Sequence, residues 1–287
     1  MESYLNIAVE IARESGALLA QLFKRPKEIT YKRPSDLVTD ADRRSEAMII
    51  ERLRSHFPKH GIVAEEGGGG GRTDSDYCWY VDPLDGTTNF AHGFPVFCVT
   101  LGLAYRGEVV AGVVYDSIHE ELFTAERGSG AYLNNQRIRA SKVPSISESL
   151  VATGFPPFAD NHDLNIEYYF RFTKMCHGVR RAGSAALDLC SVAAGRFEGF
   201  WELKLNPWDK AAGSLLVEEA GGRVTDVRGE RFNLLGDDIF ASNGLVHDEM
   251  CQVFTEVLAD RAGPSRYSAR GQSGLAPPCI RDDRAGR

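Results

Sequence analysis

Along the first sixty or so residues the apolar positions keep the period of a helix. Leu5, Ile7, Ala8, Ile11, Ala12, Ala17, Leu18, Leu19 and Leu22 fall on one side of a helix drawn over residues 2–24, with charged residues on the other. Residues 31–39 are broken by Pro34 and read as extended chain or loop. Residues 40–57 place Ala47, Ile49, Ile50 and Leu53 at helical spacing, so a second helix is predicted there, with Asp36 and Asp42 flanking its start.

The period then changes. Residues 61–64 form a short apolar run ending at Glu65 and Glu66, and read as a buried strand. Five glycines follow, Gly67 to Gly71, and such a run predicts a mobile loop. From Tyr77 to about Ile138 the pattern is that of strands (77–81, 96–105, 108–115 and 121–125). Turns at Arg106-Gly107, at Arg127-Gly128-Ser129-Gly130 and at Asn134-Asn135-Gln136 separate these runs, which predicts a meander. Beyond it, strands over 150–154, 197–203, 223–226 and 239–242 interleave with helices over 164–176, 185–194, 210–220 and 247–259. Val179-Arg180-Arg181 leads into Gly183-Ser184 and the second of those helices; Pro207-Trp208-Asp209 opens the third. There is no internal repeat. Blocks of strands and helices in this order predict a layered α/β or α+β domain over residues 1–262. Residues 263–287 are Gly-, Ser-, Pro- and Arg-rich and predict a disordered tail.

Composition narrows the class without naming it. The 287 residues are 43% hydrophobic and 25% charged, as in ordinary globular proteins. A net charge of −7 argues against a basic face for direct nucleic-acid binding. The six cysteines make no CxxC pair and read as free thiols in a reducing compartment rather than as a disulfide framework or zinc site. No window reaches the ~18 apolar residues of a membrane span, and no basic segment followed by an apolar stretch opens the chain. A soluble cytoplasmic protein is the expectation.

The chemistry concentrates at Asp82-Pro83-Leu84-Asp85-Gly86-Thr87-Thr88-Asn89-Phe90. A strand ending in two carboxylates three residues apart, with a stiffening proline between them, can aim both at one spot beyond the sheet. Oxygen-only ligands suit Mg2+. Gly86 permits close backbone approach, and amides at a following helix start would receive an anion. The bland alternative is an Asp-Pro/Asp-Gly turn. Glu65 and Glu66 end another strand, and Asp209 opens a helix, where a carboxylate is favoured in any case.

Together, Ala64-Glu65-Glu66, the Asp82–Phe90 segment and Pro207-Trp208-Asp209-Lys210-Ala211-Ala212-Gly213 resemble the inositol monophosphatase family. Gly183-Ser184-Ala185-Ala186-Leu187-Asp188-Leu189 looks like its bacterial branch, and the resemblance runs from about Leu5 to Leu258. It implies a layered α-β-α-β-α sandwich of α+β class, a homodimer, and a lithium-sensitive, Mg2+-dependent phosphomonoesterase with two or three ions per site. It implies that Glu65, Asp82 and the Leu84 carbonyl hold one Mg2+, and that Asp82, Asp85 and Asp209 hold a second. It implies that Thr87 and Glu65 orient the attacking water, with Asp42 supporting Thr87. Phosphate would meet the amides of Gly86 and Thr87, and Ser184, Ala185 and Glu202 would meet the substrate alcohol. Ala64 departs from the usual glycine, and the five-glycine run is unusual; it is expected to loosen the loop carrying Glu65 and lower metal affinity.

The implied substrate is a small phosphate ester, by default myo-inositol 1-phosphate. Fructose 1,6-bisphosphate, 3′-phosphoadenosine 5′-phosphate and histidinol phosphate remain open. A bisphosphate would need a second basic pocket, for which Arg180, Arg181 and Lys204 are candidates. Lys32 reads equally as a cation closing over the site and as a solvated turn residue. His92 reads as a loop histidine or one supporting the site from behind, rather than a base. Some bacterial proteins resembling this chain act in transcription complexes, so a partner there is a further possibility implied by the resemblance. The strands between Val96 and Ala125, with residues 155–158, are candidates for a dimer interface, though plain core is the more ordinary role.

Overall fold

The computed structural model describes residues 3–25, 29–33, 36–70, 75–155 and 162–262. Helix α1 (Tyr4–Phe23) starts where the Ser3 hydroxyl accepts the Leu5 N–H at 3.2 Å. A hairpin of β1 (Ile29–Arg33) and β2 (Asp36–Thr39) leads into α2 (Asp40–His56), opened by a reciprocal cap between Thr39 and Asp42. Then come β3 (Gly61–Ala64), β4 (Tyr77–Asp85), the short helix α3 (Thr87–Ala91), β5 (Cys98–Tyr105), β6 (Glu108–Asp116), β7 (Glu121–Glu126), β8 (Gly130–Leu133) and β9 (Gln136–Arg137). These seven strands lie side by side in chain order, all antiparallel except the β3–β4 pair, so the predicted meander is the first sheet.

The second half builds another sheet. It comprises β10 (Leu150–Thr153), α4 (His162–Thr173), β11 (Gly178–Arg180), α5 (Ala185–Ala193), β12 (Gly199–Leu203), α6 (Pro207–Glu219), β13 (Arg223–Thr225), β14 (Asp238–Ser242) and α7 (His247–Ala262). Its strand order is β11-β10-β12-β14-β13, with β10 parallel to both neighbours. Several details differ from the sequence reading, among them strand β8, which begins at Gly130 inside an expected turn. Gly178–Arg180 is an edge strand rather than a lead-in, because three residues are too few to show a period, and Gln136 belongs to β9 rather than to the turn.

Three apolar clusters explain the layering. Ile11 and Leu19 of α1 and Ile49 and Leu53 of α2 pack on Trp79, Val81, Leu101 and Val113, one face of the first sheet. Leu189 of α5 and Leu215 and Leu216 of α6 are sandwiched between Tyr80 and Phe123 of that sheet's other face and Phe200 and Ile239 of the second sheet. Tyr168 and Phe172 of α4 and Phe254 of α7 cover Trp201 and Phe240 on the far side. The result is the α-β-α-β-α sandwich of α+β class. Strand alternation then fixes direction: on β4, Cys78 and Tyr80 face the middle layer, so Asp82 does too; on β12, Phe200 faces it, so Glu202 does too.

The strands between Val96 and Ala125 bury Val99, Leu101, Leu103, Val113 and Phe123 within this chain, which makes that stretch core. Phe155 is half-buried, and the rest of 155–158 lies outside the described residues. So do Gly71, the Lys32 side chain and the expected tail at 263–287. Five cysteines are free: Cys78, Cys98 and Cys190 are buried and Cys176 and Cys251 half-buried, while Cys279 is outside the described residues. No helix among the described residues is long and apolar enough to cross a membrane.

Candidate active site

The site begins where β4 stops. Asp82 pairs with Thr100 of β5 and Asp85 with Cys98, so two residues of β4 bulge against one of its partner and re-aim Asp85. The Leu84 N–H donates to Asp82 Oδ1 at 2.9 Å, which fixes the first carboxylate against its own turn. Gly86 then sits at φ +97°, and a side chain there would bring a Cβ within 2.8 Å of the Val96 carbonyl oxygen, so only glycine fits. Thr87 opens α3; its hydroxyl lies 2.9 Å from Asp42 Oδ1 and 3.0 Å from the Leu84 carbonyl oxygen. Asp42 Oδ2 accepts from the Thr39 N–H at 2.7 Å and its hydroxyl at 2.6 Å. Burial pushes the Asp42 carboxyl up, and the bonds from Thr39 and Thr87 oppose that.

Asp85 is held from the other half of the molecule. Its Oδ2 accepts from Ser184 Oγ at 2.6 Å and from the Ala186 N–H at 2.8 Å, at the start of α5. Ser184, which the sequence reading set against the substrate alcohol, is buried and its hydroxyl donates to Asp85 Oδ2. Ala185 is buried beside it. Asn89 Nδ2 donates to the Val96 and Ala182 carbonyl oxygens, both at 2.8 Å, and so ties α3 to the loop before α5. Asp209, in the first turn of α6, accepts from the Asn206 N–H at 2.7 Å, so it is both a helix cap and a member of the site. The Glu65 N–H bonds the Val81 carbonyl oxygen at 3.2 Å, which carries β3's terminus alongside that of β4.

Electrostatics link these carboxyls. Asp82 is pushed well above the usual carboxylate range, first by burial and then by Glu65, Asp85 and Asp209. Asp209 is pushed up by burial, Asp85 and Glu65, and Asp85 by burial against its hydrogen bonds. Glu202 is raised by burial, Asp188, Asp209 and Asp85, with Arg181 opposing. Glu65, Asp82, Asp85, Asp209 and Glu202 therefore occupy one neighbourhood, as do Asp188 and Arg181. Among the described residues no three acidic, histidine or cysteine side chains converge in metal-ligand geometry. Asp85 and Asp209 are turned onto amide and hydroxyl donors instead. The donor set is nonetheless all oxygen, clustered and mutually repelling, and it fits a hard divalent cation that would neutralise it.

His92 is exposed at the end of α3. Arg180, Arg181 and Lys204 are exposed, and of these Arg181 is felt at Glu202 and Asp188. Sequence reading missed Ser45, Glu46, Asn89 and Asp188. Asn89 and Asp188 lie inside the quoted motifs, and buried Ser45 and Glu46 share the Asp42 face of α2, which is the signal that could have found them.

The inositol monophosphatase family profile matches residues 1–259. The chain belongs to the inositol monophosphatase family. It is 43% identical to the inositol-1-monophosphatase of a Synechocystis strain over 254 residues, covering 88% of each chain. It is equally 43% identical to Nus factor SuhB of Escherichia coli K12 over 263 residues, covering 91% of this chain and 98% of the relative. The crystal structure of extragenic suppressor protein suhB from Bartonella henselae superposes with a TM-score of 0.84 at 40% identity, over 89% of this chain and 99% of that one. The phosphatase fold is thereby assigned, and the family it belongs to is generally metal-dependent.

Proposed function

We propose that the chain is a Mg2+-dependent phosphomonoesterase acting on myo-inositol 1-phosphate or a related sugar-alcohol monophosphate. The observation that supports this most is the Asp82 carboxyl, buried at a strand end and pushed up by three surrounding carboxyls, with Thr87 and Asp42 beside it. Glu65, Asp82 and the Leu84 carbonyl would hold one Mg2+, and Asp82, Asp85 and Asp209 a second. Bound there, Mg2+ lowers the pKa of water and neutralises charge on the phosphoryl oxygens. The chain's own part is positioning. Thr87 has one hydroxyl proton, and with Asp42 or the Leu84 carbonyl oxygen accepting it, the oxygen's lone pairs are left to accept from water. Thr87 and Glu65 would orient that water for in-line attack, and the amides of Gly86 and Thr87 would bind phosphate oxygens.

Glu202 and Ala185 would face the alcohol, where a carboxylate accepts hydrogen bonds from polyol hydroxyls. Gly154 leaves the room for Glu202, since a Cβ there would collide with its carboxyl. Ser184 acts by holding Asp85. The protein would work as a homodimer, as the family resemblance implies, and in the cytoplasm, as its free cysteines suggest.

The test is phosphate release from myo-inositol 1-phosphate and from fructose 1,6-bisphosphate, with and without Mg2+ and with Li+ added. Mg2+-dependent, Li+-sensitive turnover that favours the inositol ester is expected. Equal turnover of the bisphosphate would move the reading to a dual or fructose-bisphosphate phosphatase, for which Arg181 beside Glu202 supplies a cation. No turnover of either ester would favour the second reading, a partner role in transcription complexes, which rests on relatives named Nus factor.

A further inference from the structure

Helix α2 carries Asp42, Ser45 and Glu46 on one side, because residues three and four apart share a helix face. Each reaches a different segment of the site. Asp42 takes the Thr87 hydroxyl at 2.9 Å, and Ser45 Oγ donates to the Pro83 carbonyl oxygen, inside the Asp82–Asp85 turn, at 3.0 Å. Glu46 takes the loop after Glu65: its Oε2 accepts from the Glu66 N–H at 2.7 Å and its Oε1 from the Gly68 N–H at 2.9 Å. This carboxylate is only 4% exposed. A buried acceptor bonded to two amides is costly to leave unpaired, so the pairing is strongly specified.

The glycines match it. A Cβ on Gly68 would lie 2.8 Å from Glu46 Oε1 and 3.0 Å from Ile50 Cδ1, and one on Gly69 would lie 2.5 Å from the Ile62 carbonyl oxygen. Glycine is what lets these amides approach. Arg54 Nη2 adds a bond to the Gly68 carbonyl oxygen at 3.3 Å. The run expected to be loose is, over its described part, pinned to α2 and β3.

We propose that Glu46 is the positioning residue for Glu65. The Glu65 N–H is fixed by Val81 on one side, and Glu46 fixes the peptide immediately on the other. The side chain is thus delivered toward Asp82 with little backbone freedom left to lose when a cation binds. This rests on the reading that Glu65 ligates Mg2+. At saturating Mg2+ the bound cation would itself hold the Glu65 carboxylate, so the consequence falls mainly on cation affinity and only weakly on the water that Glu65 orients.

The test is Mg2+ titrated calorimetrically into the full chain, beside turnover at saturating Mg2+ and the melting temperature of the metal-free protein. Glu46→Gln keeps one oxygen but turns an NH2 group toward one of the two amides. It is expected to weaken Mg2+ binding on the order of tenfold, with kcat at saturating Mg2+ changed by less than about twofold. Gly68→Ala attacks the same bond from the loop side and should weaken Mg2+ similarly, and the double variant should lose less than the product of the two. Should Glu46→Gln fail to fold, Gly68→Ala decides alone. A variant that melts lower yet binds Mg2+ as wild type does overturns the proposal, leaving Glu46 a structural residue. Wild type that binds no Mg2+ overturns the metal reading and this proposal with it.

Discussion

At the scale of single residues, the site depends on side chains that hold other side chains. Asp42 caps α2 through Thr39 with one oxygen and accepts from Thr87 with the other, and Ser184 caps α5 while donating to Asp85. Asp42→Asn keeps one oxygen, which the Thr39 N–H and hydroxyl claim, and puts an NH2 group where the Thr87 hydroxyl needs an acceptor. The expected outcome is a fall in kcat of roughly a hundredfold, in the range of a lost positioning contact, with Mg2+ affinity nearly unchanged. Steady-state kinetics at several Mg2+ concentrations checks it; a change confined to the Mg2+ constant would place Asp42 with the ligands instead. The Asp82–Phe90 motif was legible because its residue types are unusual for a plain turn. Glu46 was not, because one glutamate on an amphipathic helix resembles any solvated one until the loop it holds is in view.

At the scale of elements, helix α7 is seated by a buried histidine. His247 Nδ1 lies 2.8 Å from Ser242 Oγ and Nε2 3.0 Å from Thr225 Oγ1, and its ring stacks on Phe240 with centroids 4.2 Å apart. Burial pulls its pKa down from the ordinary 6.5 to about 4. Between those values the unfolded chain binds a proton that the folded one refuses, so stability falls as pH drops through this window and levels off below it. At about 1.4 kcal/mol per pKa unit the loss amounts to about 3 kcal/mol. Urea unfolding at pH 4.5 and pH 7, for wild type and for His247→Gln, should show about 2 kcal/mol more acid sensitivity in wild type, most of the full loss; equal changes in the two would refute it. The elements themselves were largely readable, since long helices and alternating strands carry their own period. Edge strand β11 was not, because pairing with β10 defines it rather than any local pattern.

At the scale of the whole molecule, two sheets and the helices between them force carboxyls from β3, β4, α6 and β12 into one place. Without a cation their folded pKa values are raised, so the stability they contribute is present below the unfolded values, 3.8 for Asp82 and Asp209 and 4.5 for Glu202, and is lost as pH climbs through the folded values. Mg2+ should restore it. At a hundred times its dissociation constant a ligand adds about 2.7 kcal/mol. For a chain of this size that corresponds to roughly 5–10 °C in melting temperature. Thermal melts at pH 7.5 with and without Mg2+ should show the rise, and at pH 5 a smaller one. No rise at either pH would mean that the carboxyl cluster holds no cation.

The sequence by itself determined the long helices and most strands, the meander, the layered class and the acidic residues that carry the family resemblance, because period and residue type are local properties. Only the tertiary structure decided which face each carboxylate takes and what holds it there. The Ser184 hydroxyl that restrains Asp85 and the Glu46 clamp on the glycine loop join residues 99 and 20–22 positions apart, and the bulge that re-aims Asp85 arises from the pairing of two strands. Contacts over such separations leave no period in the chain, and they exist only once packing has brought the two halves together.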